Sequence, residues 1–372
     1  MTSIMLPKTG APEKAERPSA AFQPTELRRR ARRARLALGA LAVAALCALL
    51  FSATAGASDV STFGFLTRLL TADPALDMRD RAIILDIRLP RVLMGFMVGA
   101  SLAVSGAVMQ GLFRNPLADP GLTGVSAGAS LGAVSIIVLG HSLAAPLVHL
   151  LGPFALPLAA FAGGLASTWL LYTIATHQGQ TSVAVLLLAG IALSTLAAAL
   201  TGFFIFMADD QQLRDLTFWG MGSLAGSDWT KLLAATPIML PGLAAAPFLA
   251  RGLNALALGE ASAFHMGVSV QRLKRWAIAS VAAATGASVA ISGGIGFIGI
   301  IAPHLVRLVI GPDHRSLLPA SALLGGTLLV LADAAARTWV APAELPIGIL
   351  TATAGGPFFL WILIRNRGRL AL

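Results

Sequence analysis

Three scarcities set the first limits on this chain: cysteine, charge and any phosphate-binding motif. Cys47 is the single cysteine in 372 residues, which excludes an intrachain disulfide and any cysteine-based metal site. Charged residues make up only 12% of the chain, against about 25% in ordinary soluble domains. So few charges cannot cover a globule with polar surface. No G-x-x-x-x-G-K-[ST] run occurs, so the chain has no P-loop to cradle nucleotide phosphates. The six histidines are scattered and no catalytic or metal-binding set emerges. His304 falls inside an apolar run and reads as a packed structural residue; His141 and His149 fall in a short loop. The formal net charge of +10 is not gathered into one aromatic-lined patch, which argues against nucleic acid as a partner.

What the chain has in quantity is apolar sequence: 56% of it is hydrophobic and its mean hydropathy is +0.79. Ten apolar segments stand out, near 36–57, 90–112, 121–140, 153–175, 182–207, 230–249, 276–294, 296–311, 317–340 and 346–364. Most approach the ~20 residues that a helix needs to cross the hydrocarbon core. The expected fold class is therefore an all-α polytopic membrane protein with about ten transmembrane helices over 36–372. The run at 296–311 is short, which predicts a tilted helix or an earlier start. Gly95 with Gly99, and Gly124 with Gly128 and Gly132, recur at the spacing that lets membrane helices approach closely.

Residues 1–35 are polar and hold nine of the 27 Lys and Arg residues, including Arg28, Arg29, Arg30, Arg32, Arg33 and Arg35. They read as a disordered cytoplasmic tail. The following run, Leu36 to Ala57, ends in Ala55-Gly56-Ala57, which resembles a signal-peptidase site. That run is longer than the 7–15-residue apolar core of a signal peptide, which favours an uncleaved first span. With the N-terminus inside, 19 of the 27 basic residues fall in the inner segments. The positive-inside bias then places both termini in the cytoplasm, and an even number of spans agrees. The eight basic residues left outside are Arg68, Arg79, Arg81, Arg88, Arg91, Arg214, Lys231 and Arg337.

Two outer segments are large. Residues 58–86 hold five aspartates, a pattern compatible with a short surface helix. Residues 208–229 mix polar residues with Leu213, Leu216, Phe218, Trp219 and Met221, as expected of an interfacial or re-entrant helix. It is either a simple anchor or the lining of a pathway, since broken helices at membrane depth need protein or a cavity beside them. Arg88 and Arg91 share one helical face, where like charges repel, and Arg337 lies four residues after Asp333. Three cations on the disfavoured side suggest an acidic partner; local pairing, Asp86 with Arg88 and Asp333 with Arg337, is the competing account. Inside, residues 250–275 form the longest loop. Its centre, Leu256 to Met266, reads as a helix closed by Gly267, and its apolar content beyond any spanning need suggests a docking surface for a soluble partner.

From about residue 60 onward the chain resembles the FecCD family of ABC importer permeases for iron-siderophores, haem and vitamin B12. The resemblance rests on Arg88-Leu-Pro-Arg91, GAVMQGLFRNPLADPGLTGVSAGASLG, LALGEASAFHMG, GGIGFIGIIAPHLVRLVIGPDHR, the stretch Leu329–Arg337 and AELPIGILTATAGGPFF. It implies a permease of type II importer architecture that pairs with a second copy. Two ATPase subunits would carry the ATP and Mg below, with no cofactor in this chain, and a periplasmic binding protein would dock above. Carried over by motif, Arg88, Arg91 and Arg337 receive the binding protein. Leu258, Gly259, Glu260, Ala261 and Gly267 belong to the helix that couples to the ATPase. Asn115, Leu117, Thr181 and Ser182 close the cytoplasmic exit. The run Leu213 to Gly226 is similar to the haem permeases of the family, so haem is the expected cargo, with ferric siderophore and cobalamin as alternatives. No haem ligand pair accompanies it. An ion-coupled secondary transporter, the alternative of another class, predicts membrane-embedded acidic residues, and only Asp333 approaches that description. The location implied is the bacterial inner membrane.

Overall fold

The computed structural model describes residues 24–55 and 78–365. The first 23 residues of the expected tail, and residues 58–77 of the aspartate-bearing segment, lie outside the described residues. The described chain is built of helices: α1 (Pro24–Thr54), α2 (Met78–Phe113), α3 (Val125–Leu139), α4 (Ala145–Leu151), α5 (Ala155–Ala175), α6 (Val183–Met207), α7 (Asp210–Gly220), α8 (Trp229–Leu256), α9 (Glu260–His265), α10 (Val270–Ser292), α11 (Ile298–Ile310), α12 (His314–Thr338) and α13 (Ile347–Arg365). Ten of them coincide with the ten apolar segments. Six stretches are long and apolar enough to span a bilayer: Ala31–Thr54, Met78–Phe113, Ala145–Ala175, Val183–Met207, Trp229–Leu256 and His314–Thr338. α3, α11 and α13 are shorter apolar helices.

Several boundaries differ from the sequence expectation, each for a local reason. α1 begins at Pro24 rather than near residue 36, so residues 24–35 are helical rather than disordered. Proline at the first helical position loses no hydrogen bond, and the Ala- and Arg-rich sequence that follows has high helix propensity. Arg28, Arg29, Arg32, Arg33 and Arg35 are exposed on this extension. The loop expected at 250–275 shrinks to 257–269, because α8 and α10 run past the apolar segments that define them. α9 covers only Glu260–His265, not Leu256 to Met266. α11 starts at Ile298 and remains short, preceded by the irregular stretch 293–297 in which Phe297 has φ +68°.

α2 is the central element. In its apolar stretch 83% of the residues are buried, against 17% in α1, 11% in the Ala145–Ala175 stretch and 17% in α6. α2 packs most extensively on α12, and also on α8, α10 and α11. Its middle, through Met94, Val98, Leu102 and Ala103, joins Leu224, Met239, Ile298, Leu329 and Ile347 in one apolar cluster. Its C-terminal half joins Leu171, Leu186, Leu253, Leu273 and Leu318 in another. Between lipid-soluble helices the hydrophobic effect gives no net drive, so close backbone approach supplies the dispersion energy. Gly99 meets the backbone of Gly325, Gly106 that of Gly299, Gly128 that of Gly163, and Gly132 that of Ala159. The packing role read from the glycine spacing is thus observed at Gly99, Gly128 and Gly132; Gly95 faces the side chains of Leu224 and Val330.

After a first α-helical turn, Met78–Arg81, α2 carries a π-helical stretch, Ala82–Arg88, immediately before Leu89-Pro90. Proline cannot donate to the carbonyl four residues back and its ring crowds that carbonyl, and a wider turn accommodates both. α7 is the short helix expected within 208–229. It starts on a capping box, in which Asp209 accepts from Gln212 N–H and the Gln212 side chain accepts from Asp209 N–H. His304 packs edge-on against Phe358, with ring centroids 6.0 Å apart. His141 and His149 are exposed, and among the described residues no group of His, Cys, Asp and Glu is placed to hold a metal ion.

Candidate functional site: an arginine cluster at one end, a coupled loop and hairpin at the other

The N-terminal end of α2 and the C-terminal ends of α1 and α12 meet at one end of the bundle, and there Arg88, Arg91 and Arg337 come together. All three are buried, at 4%, 8% and 6% exposure. Arg91 donates to both Asp333 oxygens from Nε (3.1 and 3.2 Å) and again from Nη2 at 2.9 Å. Its two terminal nitrogens also donate to Glu344, each at 2.9 Å. Arg337 lies 3.1 Å from the second Asp333 oxygen and donates to Ser52 Oγ (2.8 Å) and to the Ala55 carbonyl (2.9 Å). Arg88 donates to the Ala53 carbonyl at 3.0 Å. A planar guanidinium suits this forked recognition of carboxylates.

Local pairing is therefore real for Asp333, which serves two arginines rather than one. The expected Asp86–Arg88 pair is not formed: Asp86 is exposed while Arg88 is buried, and residues two apart on a helix do not face each other. Glu344 was not singled out by sequence. Its side chain is 39% exposed and forms the outer cover of the cluster. Beside it opens a cavity of about 570 Å³ lined by Phe218, Trp219, Lys231, Ile291, Glu344 and Pro346, among others. α7 thus lines a cavity rather than serving as an anchor alone.

The Arg91 hydrogen bonds hold the Glu344 carboxyl below its ordinary value near 4.5, against the opposing effect of burial. A carboxyl whose folded value is depressed stabilises fully above its unfolded value, and that stabilisation is lost as pH falls through the folded value. The expected outcome is that wild type exceeds Glu344→Gln in thermal stability at pH 7, and that the gap closes below about pH 4.5. Thermal unfolding of both proteins in detergent across that range checks it; a gap independent of pH would contradict the pairing.

The opposite end of the bundle gathers the remaining expected residues. The Arg114–Leu117 turn closes α2: Arg114 has φ +50°, and Asn115 Oδ1 accepts from Leu117 N–H at 2.9 Å. Just above it, Gln110 accepts from Arg307 at 2.9 Å, tying α2 to α11. Thr181 ends the second strand of a hairpin with a two-residue turn, and Ser182 follows it. β1 (Thr176–His177) pairs antiparallel with β2 (Gln180–Thr181). The turn residues Gln178 and Gly179 both have positive φ, as a tight hairpin twist requires. Ser182 is exposed and caps α6. Thr181 is buried. No hydrogen bond joins Asn115 or Leu117 to this hairpin among the described residues.

α9 stands off between two glycines in left-handed or open conformations, Gly259 at φ +106° and Gly267 at φ +82°. Gly267 takes the position after the helix end that glycine favours. Leu258, Phe264 and Met266 are exposed beside Glu260. Glu260 pairs with Lys274 of α10 at 2.8 Å. Lys274 also donates to the Thr181 carbonyl at 2.7 Å, and Thr181 N–H donates to Gln271 at 2.9 Å. Sequence reading counted Lys274 only as a topology charge. Its position was nonetheless telling: it shares a helical face with Val270, Ala277, Ile278 and Val281, all buried, where a charge needs a partner.

A central glycine-lined helix in a polytopic bundle, with a buried charge cluster at one end and a short glycine-flanked helix at the other, is the architecture of a multi-pass membrane protein. Comparison with known proteins agrees. The pattern of the FecCD transport family matches residues 42–365. Over 333 residues, 90% of this chain and 96% of the relative, the sequence is 47% identical to the hemin transport system permease protein HmuU of Yersinia pestis. It is 48% identical over 292 residues to the cobalamin import system permease protein BtuC of Halobacterium salinarum, covering 78% of this chain and 76% of that one. It is 42% identical over 330 residues to the vitamin B12 import system permease protein BtuC of Escherichia coli O9:H4, covering 88% and 94%. A metal-chelate type ABC transporter solved in an inward-facing conformation superposes with a TM-score of 0.76 at 34% identity, over 88% of this chain and 98% of that one. The chain is a transport subunit, an ABC importer permease, and not itself an enzyme. It belongs to the FecCD transport family.

Proposed function

We propose that this permease passes haem from a periplasmic binding protein to the cytoplasm along the interface between two copies of itself, in the bacterial inner membrane with both termini inside. Two separate ATPase subunits bind the ATP and Mg. The observation that carries the mechanism is α9 with its flanks, where Leu258, Phe264 and Met266 are exposed; apolar side chains on a cytoplasmic loop suit contact with a soluble partner. Leu258, Gly259, Glu260, Ala261 and Gly267 make up that contact. Asn115, Leu117, Thr181 and Ser182, at the same end, form the cytoplasmic gate. Haem is favoured over cobalamin by the higher identity at near full length to a hemin permease, 47% against 42% for the Escherichia coli vitamin B12 permease.

Arg88, Arg91 and Arg337 serve binding-protein docking in this reading, through exchange: an acidic side chain of the partner replaces the half-exposed Glu344 on Arg91. Charge reversal of all three arginines is a poor test, because buried glutamates beside Asp333 would disrupt the fold first. Glu344→Gln is the better variant. It removes the competing carboxylate, and binding-protein affinity measured on the assembled transporter should rise and become more salt-sensitive. Unchanged affinity would assign the arginines to local pairing alone.

ATP-driven uptake into proteoliposomes holding the permease, its ATPase and the binding protein tests the whole reading, with haem, a ferric siderophore and cobalamin in competition. Haem uptake that persists against excess of the other two is the expected result; preferential uptake of either competitor overturns the cargo. The permease alone should hydrolyse no ATP.

A further inference from the structure

We infer that Lys274 is the positioning residue that transmits movement of α9 to the Thr181–Ser182 hairpin, through one buried ammonium bonded to both. This rests on the reading of α9 as the coupling element and of the hairpin as a gate, and it names the physical connection between them.

Lys274 lies one turn into α10 and is 2% exposed. Its Nζ contacts two elements that are distant in sequence: Glu260 at the start of α9, at 2.8 Å, and the carbonyl of Thr181 in β2, at 2.7 Å. Gln271, three residues earlier on the same helical face, accepts the Thr181 N–H at 2.9 Å. Both backbone polar groups of Thr181 are therefore held by α10, and the Thr181 hydroxyl is held at 3.0 Å by Thr176 across the hairpin. Beside these contacts, Ser182 N–H donates to the Ala175 carbonyl at 2.9 Å, so the hairpin is held to the end of α5 as well as to α10.

A buried ammonium is tolerated only when paired and hydrogen-bonded. Glu260 is the ionic partner of Lys274 among the described residues, and it is 45% exposed on an element whose neighbouring apolar side chains face solvent. A displacement of α9 by a docked partner either carries Lys274 with it or leaves the cation without its carboxylate. In both cases the Thr181 carbonyl loses its present donor geometry. Leaving a buried charge uncompensated is strongly unfavourable, so the two contacts move together. Lys274 thereby acts as a rigid link, whereas an apolar residue of similar length would let α9 slide past the hairpin.

The test uses the permease assembled with its ATPase and binding protein in proteoliposomes. Cys47 is the only cysteine of the permease, so Cys47→Ser supplies a thiol-free permease in which the exposed Ser182→Cys reports the hairpin, with labelling read on the separated permease band. The labelling rate with a fluorescein maleimide is compared without nucleotide and with ATP plus vanadate. In the parent protein the rate is expected to change about tenfold, in the range typical of coupled sites. Lys274→Met is expected to assemble with the ATPase, to lose that nucleotide-dependent change and to lower haem uptake about tenfold. Lys274→Arg, which keeps the charge, should restore part of the change, and a purely structural role would not make the restoration nucleotide-dependent. Where Lys274→Met fails to fold, Glu260→Gln carries the same test from the exposed end of the link without a change in volume. A folded Lys274→Met or Glu260→Gln complex that keeps the parent's nucleotide-dependent labelling overturns the link. A parent complex with neither nucleotide-dependent labelling nor ATP-driven uptake overturns the coupling reading itself, and the link with it.

Discussion

Asp333→Ala is expected to destabilise the protein by about 3–5 kcal/mol, the range found when one partner of a buried ion pair is removed. Asp333 is 2% exposed and is the shared acceptor for Arg91 and Arg337. Its loss leaves Arg91 with the half-exposed Glu344, and leaves Arg337, among the described residues, with the Ser52 and Ala55 oxygens and no carboxylate in contact. Asp333→Asn should be little better, since it keeps the shape but not the charge. Removing cation and anion together, as in Arg91→Met with Asp333→Leu, should recover part of the loss, because an apolar pair needs no desolvated partner. Thermal unfolding of wild type, Arg91→Met, Asp333→Leu and the double variant in one detergent measures the cycle. A single Asp333→Ala variant as stable as wild type would show that the cluster is hydrated and weakly coupled.

Gly106→Val is expected to abolish accumulation of folded protein. A Cβ at residue 106 would fall on the backbone of Gly299, and a backbone cannot rotate away as a side chain can. Overpacking in a tight interior costs about 1–3 kcal/mol even where side chains give way; here α2 and α11 would have to separate, and α2 is the helix on which the bundle is built. Gly39→Val is the matched control, because nothing lies within 4 Å of a Cβ there. Size-exclusion profiles of the two variants should separate cleanly. A monodisperse Gly106→Val protein in normal yield would mean that α2 and α11 pack more loosely than the backbone contact implies.

The spans were legible in sequence because the bilayer acts on each segment by itself. A run such as Val183–Met207 must be helical in lipid whatever its neighbours are, since its backbone groups have no other partners there. Small-residue spacing is equally local, and Gly99, Gly128 and Gly132 meet backbones as their spacing implied. The glycine-flanked α9 was visible too, although its length was overstated, because apolar content cannot tell where α8 stops at Leu256 and a separate turn begins.

Apart from the local pair of Asp333 with Arg337, pairing was decided by tertiary structure. Asp333 lies 242 residues from Arg91, and Glu344 lies 253; nothing in the spacing of Arg88 and Arg91 identifies either partner, and the near neighbour Asp86 turned out to face away. The link from Glu260 through Lys274 to Thr181 likewise joins three elements whose order along the chain says nothing of their contact. Segment-by-segment partition into lipid is a property of composition, which sequence carries in full. Which buried charge meets which is a property of how helices cross, and it is fixed by the close approach of α2 to α12 and of α10 to the 176–182 hairpin.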